Sequence, residues 1–108
     1  MELTPQQIAA LSKLHACGFE IVAFPMYATY VGARKGNCAA LLAPIETGTF
    51  RIFGTPAYLI EGNLAVRITQ KNREYFVWKK NQLEVTSERL AELGAFSIAL
   101  TDALLPTL

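Results

Sequence analysis

The chain has 108 residues, 52% apolar and 18% charged, with ten lysines and arginines against nine acidic residues and a net charge of +1. Disorder, which needs low hydrophobicity and high net charge, is excluded. So are a strongly basic nucleic-acid domain and a polyanionic tail, which would show in the totals.

The length is that of one domain, residues 1–108, able to bury a core without staples. The start, Met-Glu-Leu-Thr-Pro, has neither the cationic nor the apolar region of a signal peptide. No apolar run approaches the roughly 18–20 residues that span a bilayer. Cys17 and Cys38 form no Cys-x-x-Cys and no disulfide framework. A cytoplasmic protein with reduced thiols and no membrane partner is expected.

The first helix is predicted over Pro5–Cys17. Thr4 is an N-cap residue, Pro5 suits the first helical position, and Gln7 completes a capping box. Leu3 and Ile8 are spaced as a hydrophobic staple, and Ile8, Leu11 and Leu14 form one stripe, on which His15 also falls. Gly18 ends the helix as a C′ residue.

From Phe19 to Val85, β-branched and aromatic residues come in short runs between turn residues, the pattern of strands. Strands are expected near 19–24, 28–34, 38–43, 50–53, 57–61, 64–69, 74–79 and 83–85. The connectors are short, so neighbours are antiparallel. Residues 38–43 also suit a helical turn capped by Asn37 and ended by Pro44. They are read as strand because they follow a hairpin-like turn.

Two-residue turns at Gly62-Asn63 and Lys71-Asn72 set a register. The first pairs Leu59 with Val66 and Tyr58 with Arg67. The second pairs Val66 with Val77, Arg67 with Phe76, and Ile68 with Tyr75. Period-two alternation then sorts the side chains. Leu59, Leu64, Val66, Ile68, Tyr75 and Val77 fall on a face read as core. Tyr58, Ile60, Ala65, Arg67, Phe76, Trp78 and Lys80 fall on a second face, aromatic and mixed with cations. A second helix begins at Thr86 or Ser87, carries Leu90, Leu93, Phe96 or Ser97, Leu100 and Leu104 at helical spacing, and ends near Pro106. Within it, 96–100 also alternates as a short strand would.

These elements define an α+β fold: a mostly antiparallel meander flanked by an N-terminal and a C-terminal helix, the helices covering at least one sheet face. One histidine and two scattered cysteines fall short of a zinc site. The serines (Ser12, Ser87, Ser97) lie on helices, and no Gly-x-Ser-x-Gly occurs. Catalytic residues, cofactors and metal ligands are therefore not assigned, and catalysis is the less expected reading. Gly32–Asn37 carries Arg34 and Lys35, but lacks the spacing of a phosphate-binding loop and reads as a solvated basic turn.

Residues 51–80 hold six cations against two carboxylates, a local +4, and residues 81–108 are net −3. The plain reading is a solvated sheet complementing an acidic helix. The sharper one makes Tyr58, Arg67, Phe76, Trp78 and Lys80 a binding surface. Two narrow helical stripes cannot cover both faces of so apolar a sheet, and an open aromatic face is normally an interface. A non-enzymatic binding or assembly module is therefore expected, self-associating or joined to another protein. The alternatives are a nucleic-acid or polyanion binder using 51–80, and a small-ligand carrier or enzyme with a pocket between sheet and helix.

Overall fold

A computed structural model describes residues 2–45 and 48–104. Helix α1, Pro5–Ala16, starts from the predicted capping box: Thr4 Oγ1 accepts from the Gln7 N–H (3.1 Å) and Gln7 Oε1 accepts from the Thr4 N–H (2.9 Å). It ends in a Schellman motif. The Gly18 N–H donates to the His15 carbonyl, and the Phe19 N–H to the Leu14 carbonyl, each at 3.0 Å. Leu14 and Phe19, brought together by that turn, are both fully buried. Ile8 and His15 are instead exposed, because only the Leu14 side of the helix meets the sheet.

The strands are β1 (Glu20–Val22), β2 (Val31–Lys35), β3 (Cys38–Pro44), β4 (Phe50–Ile60), β5 (Asn63–Leu64), β6 (Val66–Gln70), β7 (Arg73–Trp78) and β8 (Asn81–Glu84). Helix α2 is Ser87–Leu104. Among the described residues β1-β2-β3-β4-β5 form one antiparallel sheet and β6-β7-β8 a second. The fold is thus the expected α+β meander between two helices. No described helix is long and apolar enough to cross a membrane.

Residues 38–44 are strand and 96–100 are helix. β3 is central and buried on both faces, which suits its run of alanines and leucines. Cys38, Ala40 and Leu42 join Leu14, Phe19, Phe50, Phe96 and Leu100 in the main core under the helices. Ala39 and Leu41 point the other way, where Phe24, just before a 3₁₀ turn at Pro25–Tyr27, covers them together with Val22, Tyr30, Leu59 and Leu64. Gly32, read as part of a solvated turn, lies buried in β2 beneath that cover. A Cβ there would stand 2.6 Å from the Phe24 ring and 2.7 Å from the Val22 carbonyl oxygen.

Residues 50–53 and 57–61 belong to one strand, β4, interrupted by a bulge. Gly54, Thr55 and Pro56 stand opposite the single residue Ala40, and Gly54 takes φ +68. Glycine supplies that left-handed backbone and proline tolerates the lost ladder bond. Two extra residues preserve side-chain parity, so Tyr58 stays on the core side with Phe50 and Ile52.

Two expectations are corrected. The turn after β4 is Glu61-Gly62, not Gly62-Asn63. Both residues have positive φ (52 and 77), as a type I′ turn requires. Leu59 therefore pairs with Leu64 rather than Val66. The pairing of β6 with β7 is as expected, but the faces are reversed. Phe76 and Tyr58 are core, while Val66 is 63% exposed and Ile68 is also exposed. α2 packs over the aromatic side, because Phe76 and Tyr58 offer it more apolar area than Val66 and Ile68 offer.

Candidate functional site

The Ala65 N–H still donates to the Tyr58 carbonyl (3.0 Å), and from Val66 onward the chain pairs with β7 instead. β4 meanwhile turns off through its bulge. A cleft of about 790 Å³ opens where the two sheets part. The bulge and Phe53 form one wall, Val66 and Arg67 another, and Leu90, Leu93, Gly94 and Ser97 of α2 the third. A Cβ on Gly94 would meet nothing within 4 Å, so that wall is open. Tyr27, Phe53, Val66 and Leu90 are all exposed large apolar side chains, and all line this cleft.

β6 enters the cleft wall with Val66 and Arg67, and its outer edge is not paired by any other described strand. Lys71 and Asn72 have positive φ and form a type I′ turn closed by Gln70 and Arg73. Hydrogen-bonded pairs alternate along an antiparallel ladder from that closing pair. Gln70, Ile68 and Val66 therefore bond to β7, and the N–H and C=O groups of Arg67 and Thr69 point to the opposite edge. No described strand pairs with them there.

Of the residues expected to form a surface, Tyr58, Phe76 and Arg67 meet at this cleft. Tyr58 stacks on Phe76 (ring centroids 4.9 Å apart) and donates through its hydroxyl to Glu92 Oε1 at 2.7 Å. Burial, then the Glu92 hydrogen bond and charge, raise its phenol above the ordinary value. Arg67 is exposed at the rim and ion-paired with Glu74. That hydrogen bond lowers the Glu74 carboxyl and raises the guanidinium.

Trp78 is half-buried in a separate groove with Phe24, Pro25 and Met26, and Lys79 Nζ lies 5.4 Å from its ring centre. Lys80 is exposed in the turn between β7 and β8. Arg34 and Lys35 are in β2 rather than in the turn. Arg34 pairs with Glu20, and Lys35 donates to the Cys17 carbonyl (3.1 Å) over the Phe19 ring. Both cations are thus used within the fold.

The bulge, Val66 and the α2 wall were not among the residues expected at a site. Gly54 and Pro56 inside an apolar stretch are a bulge signal, and Gly94 within a helix marks a spot where no side chain is packed. Among the described residues no three His, Cys, Asp or Glu side chains come together to hold a metal ion.

No protein-family model, no curated protein and no solved structure matches this chain. Its class is defined by its own geometry: an α+β domain with an apolar cleft and a free strand edge at the parting of two antiparallel sheets.

Proposed function

We propose that this chain is a non-enzymatic protein-interaction module that accepts an extended segment as an added strand along β6. The carrying observation is the free edge at Arg67 and Thr69 beside an apolar cleft. Strand addition takes affinity from main-chain hydrogen bonds and specificity from pockets for alternate side chains, and this cleft is such a pocket. β6 contains no proline or bulge, two of the usual protections of an edge, and its one charge, Arg67, is paired with Glu74 on the neighbouring strand. Exposed Cys17, which is free, suits a reducing compartment such as the cytoplasm.

The cations of 51–80 support the polyanion reading less well. Lys71 and Arg73 lie at one end of the β6–β8 sheet, and Lys79 and Lys80 at the other, roughly 17 Å away along β7. A small apolar ligand is the second reading, because the cleft volume falls within the usual range for such sites.

A short soluble peptide alternating valine with threonine tests the proposal by amide hydrogen exchange. It should slow exchange at Arg67 and Thr69, and Thr69→Pro, which removes one edge donor, should abolish the effect. Unchanged and unprotected exchange at both amides at millimolar peptide, in protein dilute enough to be monomeric, would count against strand addition. An apolar dye displaced by Gly94→Leu but indifferent to Thr69→Pro would favour the small-ligand reading.

A further inference from the structure

We infer that the strand added to β6 is the β6 of a second copy of this chain, with Ile68 opposite Ile68 across a two-fold axis. The inference rests on the strand-addition reading and names its partner. Four observations carry it.

The first is backbone parity. An antiparallel two-fold pairing centred on Ile68 sets Arg67 against Thr69 of the other copy, twice. Those are the residues whose N–H and C=O groups face the free edge, so both pairs exchange hydrogen bonds. Ile68 then occupies the non-hydrogen-bonded position, where side chains lie closest.

The second is charge. Centring on Arg67 instead would put two guanidinium groups directly opposite, which is destabilising. Centring on Ile68 gives each Arg67 a threonine partner and leaves its ion pair with Glu74 in place.

The third is the exposed face. Ile68 and the strongly exposed Val66 stand beside half-buried Tyr75 and Val77 on one side of the sheet. Joining two copies turns two three-stranded sheets into one of six, with the two Ile68 side chains meeting at its centre and a Tyr75 beside each.

The fourth is area. The accessible surface is 7163 Å², whereas a folded monomer of 11.9 kDa should expose about 6,000 Å². That excess is spread over the whole chain, and the exposed Val66 and Ile68 are part of it. The longest dimension, 47 Å against 27 and 20 Å, reflects the same elongation.

Sedimentation equilibrium over a wide concentration range and site-directed cross-linking test the inference together. The protein should pass from monomer to dimer, and Thr69→Pro should raise the dissociation constant by roughly tenfold or more. In a Cys17→Ser background, Ile68→Cys should oxidise readily to a covalent dimer, because directly opposed residues lie within disulfide reach. Val66→Cys should not, since this register places the two copies of residue 66 roughly 13 Å apart. Circular dichroism of each variant checks that it is folded, and the cysteine pair decides the register even if Thr69→Pro unfolds. A monomer at every concentration whose Arg67 and Thr69 amides are still protected by the valine–threonine peptide would overturn the self-pairing and leave the edge reading standing. A dimer that is unaffected by a folded Thr69→Pro, or that cross-links equally through residue 66, would overturn this interface.

Discussion

Gln7 ties the first helix to a loop far along the chain. Its Oε1 closes the capping box, while its Nε2 donates to the carbonyls of Ile45 (3.2 Å) and Thr49 (3.3 Å), and the side chain is buried. In an ordinary capping box glutamate serves as well as glutamine. Here it cannot, because a carboxylate has no hydrogens for two carbonyl oxygens. Gln7→Glu should therefore lose about 2 kcal/mol at neutral pH, through two unsatisfied acceptors and a buried charge beside them. Chemical denaturation at pH 7 and pH 4 checks this, and part of the loss should be recovered as the carboxyl is protonated.

The two cysteines differ as sharply. Cys17 is exposed, whereas Cys38 is buried, and burial followed by the Glu92 charge pushes its thiol up to about 11. A thiol reagent should label Cys17 at once and Cys38 only on unfolding. Because the folded-state value lies above the unfolded one, the stabilisation is fully present below about pH 9 and is lost as pH rises towards 11. Tyr58, raised by burial and by the same Glu92, acts in the same direction. The denaturation midpoint should fall through this range, and less so in Cys38→Ala.

Among the elements, the β6–β7 hairpin separates pairing from burial. Its register follows from the Lys71-Asn72 turn, yet Phe76 is core and Val66 faces outward. Phe76→Ala should cost about 3–5 kcal/mol, whereas Val66→Thr should change monomer stability by no more than about 0.5 kcal/mol. Urea unfolding at low concentration measures both, and the opposite ranking would restore the face order read from alternation. α2 shows the same division. Its N-cap is Thr86, whose Oγ1 accepts from the Arg89 N–H (3.1 Å), and its inward residues are Phe96, Leu100 and Ala103. Leu90, which continues the apolar spacing, is left exposed beside the cleft.

At the scale of the whole molecule, the local signals were legible and the long-range ones were not. The capping box, the Gly18 stop, the antiparallel meander and the pairing of Val66 with Val77 follow from neighbouring residues, since caps and tight turns have strict stereochemistry. Glu61-Gly62 was misread as Gly62-Asn63 because both dipeptides suit a two-residue turn, and only the pairing of Leu59 with Leu64 separates them. The candidate site was legible only in Tyr58, Arg67 and Phe76. Trp78 and Lys80 belong to other places, because a strand end and a turn carry them away from the cleft. Alternation says which residues share a face, but both faces of this sheet are apolar, so it does not say which one a helix covers. The sequence by itself determined the elements, their caps and the parity of each strand, all of which are settled by steric and hydrogen-bonding rules within a few residues. Tertiary structure alone decided that α2 lies on the Tyr58–Phe76 face, that the Gly54–Pro56 bulge parts the two sheets, and that no other described strand covers the edge of β6. Each of those outcomes depends on packing between segments distant in the chain, where total buried area rather than local geometry selects the arrangement.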